Sequence, residues 1–134
     1  MNNQDIDELI ATRIMGWEKR QAYFHPSNPK YWFDGDSSER QIIANAWRPS
    51  TNIAQAWEVV EKMIEKGFYI NIGTDDLNQF FCALVYGETS IEEDGIQKIL
   101  KEKVFSAEEK TAPLAICLAA LKAVEGSITN EQGD

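Results

Sequence analysis

The 134-residue sequence is poor in the residues that most often carry catalysis, with one histidine and two cysteines. It has no GxSxG, HExxH, P-loop or GxGxxG motif. Cys82 and Cys117 lack the CxxC or Cys/His spacing of a zinc site. Both lie in apolar runs, so we interpret them as small buried hydrophobic residues. The sequence therefore predicts a protein that is not an enzyme and that needs no metal or other cofactor.

Long apolar runs and clusters of basic residues are also missing. No run reaches the roughly 18 apolar residues of a membrane helix, so no membrane segment is predicted. The acidic start "MNNQDIDELI" is unlike a signal peptide, which predicts a cytoplasmic protein.

The charge of the chain is strongly negative and uneven. The 13 Lys and Arg residues against 22 Asp and Glu residues give −9, of which −2 falls in residues 1–66 and −7 in residues 67–134. Because a nucleic-acid binder needs clustered basic residues to release counterions, we predict no direct binding of nucleic acid. The acidic second half either keeps the protein soluble or forms a contact face for a basic partner.

What the sequence does contain is enough apolar material for one domain. It is 43% hydrophobic and 26% charged, which is typical of a globular chain. We predict a single domain over residues 1–126 and a frayed tail at 127–134. An excursion at residues 18–46, either hairpin-like or a loop, is predicted because "HPSNP" and "FDGDSS" are turn sequences around the strand-like "KYWF" and "RQIIANAW".

Three helices are predicted from apolar residues at helical spacing. The first has Asn3 as its N-cap and ends near Gly16. The second begins at Ser50 or Asn52 and ends at Gly67. Its single apolar face consists of Ile53, Trp57, Val60, Met63 and Ile64. The third, "TAPLAICLAALKAVEG", is apolar almost all round, so it is expected to be buried on more than one side, by other elements or by a second subunit.

Two strands, "FYINIG" and "LNQFFCALVYG", are predicted after the second helix. The second of them is apolar on both faces, which predicts cover on both sides. A short helix or turn is predicted around residues 91–101 and a further strand at about 103–107. Together the elements predict an α+β fold, a three-layer αβα sandwich whose small, mostly antiparallel sheet is covered by helices.

Three blocks of the sequence, in order, resemble one family. They are "DELIATRIMGW", "WRPSTNIAQAWEVVEKM" and "TAPLAICLAALKAV". They are similar to the leading helix that ends in MGW, the W-x-P-S opening of the second helix and the T-A-P-x-A-I-C-like last helix of the phage ABA sandwich domain family. The resemblance covers roughly residues 5–17 and 47–124. It implies an αβα sandwich of phage or prophage origin in a bacterial host, and it implies no reaction.

An aromatic and basic cluster precedes the second helix, and it consists of Tyr23, Phe24, His25, Tyr31, Trp32, Trp47 and Arg48. The residues predicted to bind a ligand are Tyr31, Trp32, Trp47, Arg48, Ser50 and Thr51. A helix N-terminus with hydroxyl side chains suits a phosphate, Arg48 adds a charged fork, and flat aromatic rings can stack on a base. The cluster therefore predicts a nucleotide pocket. The structural alternative is that the tryptophans are core and that Ser50 or Thr51 only caps the helix.

The acidic groups in turns are interpreted as structural, since Asp is favoured at such positions for backbone reasons. These groups are the pairs Asp34/Asp36 and Asp75/Asp76. The run Glu92, Glu93 and Asp94 is interpreted as solvated surface and not as a metal site.

Three functions follow from these observations. The predicted one is a phage accessory protein without catalysis, a homo-oligomer, that counters a host system by binding a host protein or a small signalling nucleotide. The first alternative is an acidic protein-interaction or structural module that uses the acidic second half as its contact face. The second alternative is a small hydrolase or transferase that uses His25 or paired carboxylates.

Overall fold

The computed structural model of the chain describes residues 2–21, 29–35, 40–75, 77–91 and 97–129. These residues form helices and two antiparallel sheets. The helices are α1 (Asn3–Leu9), α2 (Ile53–Glu65) and α3 (Ala112–Thr129). The strands are β1 (Trp17–Gln21), β2 (Lys30–Asp34), β3 (Arg40–Ile43), β4 (Tyr69–Thr74), β5 (Phe80–Ile91) and β6 (Gln97–Glu109). A π-helical turn (Ile10–Ile14) extends α1, and a 3-10 turn (Ala44–Ala46) follows β3.

Each sheet consists of three strands in sequence order. The first sheet contains β1, β2 and β3, and its register places Lys19 opposite Trp32. The second sheet contains β4, β5 and β6, and it places Leu84 opposite Phe105. The predicted class, an α+β sandwich with mostly antiparallel strands, is confirmed, with the strands divided between two sheets. Residues 18–46 contribute most of the first sheet.

The starts of α1 and α2 are fixed by asparagine caps. Asn2 Oδ1 accepts a hydrogen bond from the Asp5 N–H at 2.8 Å, so the cap lies one residue before the predicted Asn3. Of the two residues predicted to cap α2, Asn52 is the one used, because its Oδ1 accepts a hydrogen bond from the Gln55 N–H at 3.0 Å.

The ends of the same helical segments are fixed by glycines. Gly16, with a φ of 75°, follows the π-helical turn, and Gly67, with a φ of 101°, follows α2. A side chain strains the backbone in this left-handed region, which is why glycine is favoured there. Both predicted ends are confirmed.

Helix α3 forms the centre of the core. Its buried residues are Ala115, Ile116, Cys117, Ala119, Ala120, Leu121 and Ala123. It packs against α2, against the π-helical turn, and against β5 and β6. Small alanine side chains allow these neighbours to approach the helix backbone closely. The predicted burial on more than one side is therefore confirmed, and the neighbours that supply it belong to the same chain.

The rotation of α2 differs from the prediction. Its buried residues are Ala56, Val59, Val60 and Met63. By contrast Ile53, Trp57 and Ile64, which were predicted to lie on the buried face, are 54%, 51% and 51% exposed. The apolar residues of α2 cover a wider arc than one partner can bury, and the packing of α3 decides which part of the arc faces inward.

The predicted cover of β5 on both sides is present on one side only, within the part of the chain that the structure describes. Cys82 and Leu84 are buried in the core that α3 shares. On the opposite face, Tyr69, Val85 and Val104 form a row across the three strands. Tyr69 is 74% exposed and Val104 is 59% exposed. We call this row the open sheet face.

The region after β5 also differs from the prediction. Residues 97–101, which were expected to form a short helix or turn, belong to β6, and the strand predicted at 103–107 is part of the same long element. Residues 92–96, which include the acidic run, lie outside the described residues. Because β6 pairs with β5 along almost its full length, pairing with a neighbouring strand overrides the local helical pattern.

Both cysteines are buried and free. Burial raises the pKa of Cys82 to about 11 and also raises the pKa of Cys117, so both are protonated thiols at neutral pH. Their interpretation as small buried hydrophobic residues is confirmed.

The rotation of α2 can be tested with two neighbouring substitutions. We expect Met63→Ala to lower the free energy of unfolding by about 2–5 kcal/mol, because it leaves a cavity in the core. We expect Ile64→Ala to cost less than about 1 kcal/mol, since half of the side chain is already in water and alanine has the higher helix propensity. Urea unfolding followed by circular dichroism measures both, and equal losses would contradict this rotation.

Candidate binding cleft

A cleft of about 510 Å³ lies where α1, the first sheet and the loop before α2 meet. Its volume falls in the range of roughly 300–1,000 Å³ that is common for small-molecule sites. The residues that line it are Asn3, Gln4, Asp7, Glu8, Lys19, Lys30, Trp32, Ala44, Asn45, Trp47, Arg48 and Thr51. Among the described residues, the lining combines two indoles, three cationic side chains and two carboxylates.

Four of the six residues predicted to bind a ligand line this cleft. They are Trp32, Trp47, Arg48 and Thr51. Tyr31 precedes Trp32 on β2, and since successive side chains of a strand point to opposite faces, it lies on the other face of the first sheet. Ser50 is buried behind the cleft. Tyr23, Phe24 and His25 lie outside the described residues.

The two tryptophans of the cleft are almost fully enclosed. Trp32 is 2% exposed and Trp47 is 3% exposed. The ring centroids of Trp17 and Trp47 lie 4.7 Å apart in an edge-on arrangement, and Lys19 Nζ lies 5.2 Å from the centroid of the Trp32 ring. Little of either ring face is therefore open to a stacked base.

The indole N–H groups of Trp32 and Trp47 are buried and have no hydrogen-bond partner among the residues that the structure describes. A buried donor without a partner costs about 1–3 kcal/mol, so such groups are uncommon in folded proteins. Two of them on residues that line one cleft are an unusual feature of this chain. Because each indole nitrogen is buried, an acceptor atom on a ligand reaches it only if the side chains around it move.

The start of α2 offers fewer free donors than the sequence predicts. The Ser50 N–H donates to Asp7 Oδ1 at 2.8 Å, and the Thr51 N–H donates to the Arg48 carbonyl at 3.1 Å. The Asn52 cap accepts the Gln55 N–H of the first turn. The N–H groups of Ser50, Thr51 and Gln55 therefore already have acceptors within the protein and are not free to bind an anion.

Three cationic side chains line the cleft, and each is held differently. Lys19 Nζ forms an ion pair with Glu8 Oε2 at 3.1 Å. Arg48 is exposed, and its Nε–H donates to the Asn45 carbonyl at 2.9 Å, which holds the guanidinium beside the 3-10 turn. Lys30 is exposed at the start of β2. Cations from three separate elements thus converge on one cleft.

Asp7 is a residue of the cleft that the sequence reasoning missed. It is 7% exposed, and its carboxylate joins α1 to the loop before α2 through the Ser50 N–H. Burial raises its pKa above the usual 3.8, while the hydrogen bond from Ser50 and the charge of Arg48 act in the opposite direction. The available signal was its position on α1, since it shares one helical stripe with the buried Ile10 and Ile14.

No group of three or more His, Cys, Asp or Glu side chains is placed to hold a metal ion in the described ranges. The run 92–94 and His25 lie outside those ranges. None of the described helices has the length and apolar character that crossing a bilayer requires.

The family model described as the phage ABA sandwich domain matches residues 8–121. This range includes every cleft-lining residue except Asn3, Gln4 and Asp7. No curated protein matches the chain, and no solved structure does. The chain belongs to the phage ABA sandwich domain family.

The role of Asp7 predicts a defined pH dependence of stability. The pKa of Asp7 is higher in the folded than in the unfolded protein. Its contribution to the free energy of unfolding is therefore most favourable below pH 3.8, and it is lost as the pH rises through the folded-state pKa. Asp7→Asn removes this titration and keeps an oxygen that accepts the Ser50 N–H. We therefore expect the stability of the variant, relative to the native protein, to increase as the pH rises from about 3 to about 7.

Urea unfolding at each pH measures this difference, in which the other titrating groups cancel. Asp7→Ala removes the acceptor of Ser50 and should cost about 1–3 kcal/mol at neutral pH. Asp5→Asn, on the exposed side of the same helix, is the matched control. A stability difference between Asp7→Asn and the native protein that stays constant with pH would contradict the assignment.

Proposed function

Starting from this family membership, we propose that the protein is a phage accessory protein that acts by binding, without catalysis, and that its ligand is a small anionic molecule of the nucleotide class held in the cleft. The observation that carries the proposal is that two buried indole N–H groups without partners belong to residues lining the same cleft as three cationic side chains. The indole N–H groups favour a ligand with hydrogen-bond acceptors, and the cationic side chains favour a ligand with negative charge.

The charge around the cleft favours an anion. Of the two carboxylates, Glu8 is paired with Lys19, and Asp7 accepts the Ser50 N–H. Among the described residues that line the cleft, three cations against two carboxylates leave a net charge of +1, although the whole chain carries −9. Hydrogen bonds from charged groups contribute about 1.5–3 kcal/mol each, and more where the ligand excludes water.

The enclosed tryptophans indicate how a nucleotide would be recognised. If the side chains that bury them move on binding, the edge N–H groups of Trp32 and Trp47 can donate to the ring nitrogens and oxygens of a base or a sugar. The cationic side chains are suited to the phosphate. Recognition would thus depend on hydrogen bonds at the edge of the ligand, with little stacking.

Binding of this kind accounts for a function without a reaction. A phage protein in the cytoplasm of a bacterial host that holds a small signalling nucleotide lowers its free concentration and so counters the host system that depends on it. The net charge of −9 disfavours a long nucleic acid, which the rest of the surface repels, whereas a small anion contacts only the cationic side chains of the cleft.

The proposal predicts that mono-, di- or cyclic nucleotides raise the melting temperature of the purified protein by several degrees. A ligand at 100 times its Kd adds about 2.7 kcal/mol to the free energy of unfolding. Arg48→Ala should weaken binding by about 10- to 100-fold, because it removes a charged donor from the cleft. Calorimetric titration measures the affinities.

Two variants make this test specific. Arg13→Ala is the matched control, because Arg13 lies outside the cleft in an exposed ion pair with Glu125. This variant should bind the nucleotide as tightly as the native protein does. Trp47→Phe removes the indole N–H and keeps an aromatic ring, so it should weaken binding without the loss of an existing hydrogen bond. If none of the nucleotides changes the melting temperature, the proposal is wrong.

We also propose that the protein is a homo-oligomer, and the open sheet face supports this. The apolar character of α3, from which an oligomer was predicted, is accounted for within the chain. Tyr69 and Val104 are large, exposed and aligned on the open sheet face. Because a stable dimer usually buries about 800 Å² on each partner, a second copy would have to cover the whole outer face of β4, β5 and β6.

The oligomer can be tested by the mass of the protein in solution. We expect the native chain to exceed the monomer mass and Val104→Lys to shift it towards the monomer, because a buried charge is costly at such an interface. Leu77→Lys, at a 77% exposed residue in the turn between β4 and β5, is the control. A native protein that is monomeric at all concentrations would exclude the oligomer.

A further inference from the structure

Helix α2 carries an apolar surface that its own fold does not use. Ile53, Trp57 and Ile64 are each about half exposed. At 3.6 residues per turn these side chains project within about 40° of one another, so they lie in one row along the helix, which we call the α2 ridge. We propose that the α2 ridge binds a basic amphipathic segment of another protein.

The α2 ridge has an acidic border on its solvent side. Viewed down the axis of α2, Glu61 lies about 40° beyond Trp57, on the side away from the buried face. Glu65 and Glu58 lie within about another 60° in the same direction. All three glutamates are exposed. The opposite side of the ridge adjoins the buried face of α2, so a partner lying on the ridge meets carboxylates along one edge and the body of the protein along the other.

This arrangement selects the chemistry of the partner. An amphipathic helix places apolar side chains at intervals of three and four residues, and these can contact Trp57 and its two isoleucine neighbours. Lysine or arginine residues next to that apolar stripe would reach Glu58, Glu61 and Glu65. An acidic or neutral segment would exclude water from the ridge and would offer the three carboxylates no opposite charge, which is unfavourable.

The size of the α2 ridge favours a short segment over a second copy of this chain. Three half-exposed side chains present on the order of 300 Å² of surface. A stable dimer usually buries about 800 Å² on each partner, so the ridge alone is too small. A second copy would also bring the border of Glu58, Glu61 and Glu65 near its own counterpart, where like charges repel.

The test uses a fluorescein-labelled, 18-residue helical peptide of leucine and lysine with leucines at intervals of three and four residues. Fluorescence anisotropy should show binding that weakens as salt is added, because charge pairs at a protein surface are screened. Trp57→Ala should weaken binding at least tenfold, since a central tryptophan often dominates such contacts. A double variant, Glu61→Gln with Glu65→Gln, should weaken it as well and reduce its dependence on salt.

Matched changes elsewhere separate a specific site from general attraction to an acidic protein. Leu77→Ser, in the turn between β4 and β5, and Asp5→Asn, on the exposed side of α1, should leave peptide binding unchanged. A peptide with glutamate in place of lysine should not bind. Circular dichroism verifies the fold of each variant, and Ile53→Ser replaces Trp57→Ala if that variant does not fold.

Two outcomes would overturn the proposal. The first is equal weakening of peptide binding by the variants of the α2 ridge and by the control variants at Leu77 and Asp5, which would indicate attraction to net charge alone. The second is a change in the solution mass of the protein on Trp57→Ala, which would show that the α2 ridge is a contact between copies of this chain. Nucleotide binding in the cleft is independent of both outcomes, because no ridge side chain lines it.

Discussion

The close packing of α3 is the constraint on which the rest of the structure depends. Its fully buried alanines allow α2, the π-helical turn and the second sheet to approach one helix from three directions. The small size of the alanine side chains matters more here than their hydrophobicity. A larger side chain at any of these positions would displace a neighbouring element and lower the free energy of unfolding by about 1–3 kcal/mol. The same packing fixes the rotation of α2 and covers the second sheet on one face.

The buried carboxylate of Asp7 links the packed helices to the residues that line the cleft. α1 is held against α3, and the hydrogen bond from the Ser50 N–H to Asp7 fixes the loop before α2 against α1. Arg48 and Thr51 lie on either side of that bond in the sequence, so it sets their positions in the cleft. The raised pKa of Asp7 reflects the cost of placing a charge at this junction.

Features decided within a few residues were predictable from the sequence, and features decided by distant contacts were not. Asn52 marks the start of α2 and Gly67 marks its end, because a cap and a left-handed residue act on their immediate neighbours in the chain. Trp47, Arg48 and Thr51 were found together because they are adjacent in the chain. Asp7, Lys19 and Lys30 were missed, since only the contact of α1 with the first sheet brings them to the same cleft. The rotation of α2 was missed for the same reason, because its apolar arc is wider than the face that α3 covers.

The distribution of charge keeps the two proposed binding surfaces distinct even though both involve α2. Lys19, Lys30 and Arg48 are gathered at the cleft, while the border of the α2 ridge carries three glutamates. A small anion is therefore attracted to the cleft and repelled from the ridge, and a basic peptide experiences the reverse. Repulsion of the wrong ligand contributes to specificity as much as attraction of the right one. A chain with a net charge of −9 can in this way bind an anion at one surface and a cationic partner at another.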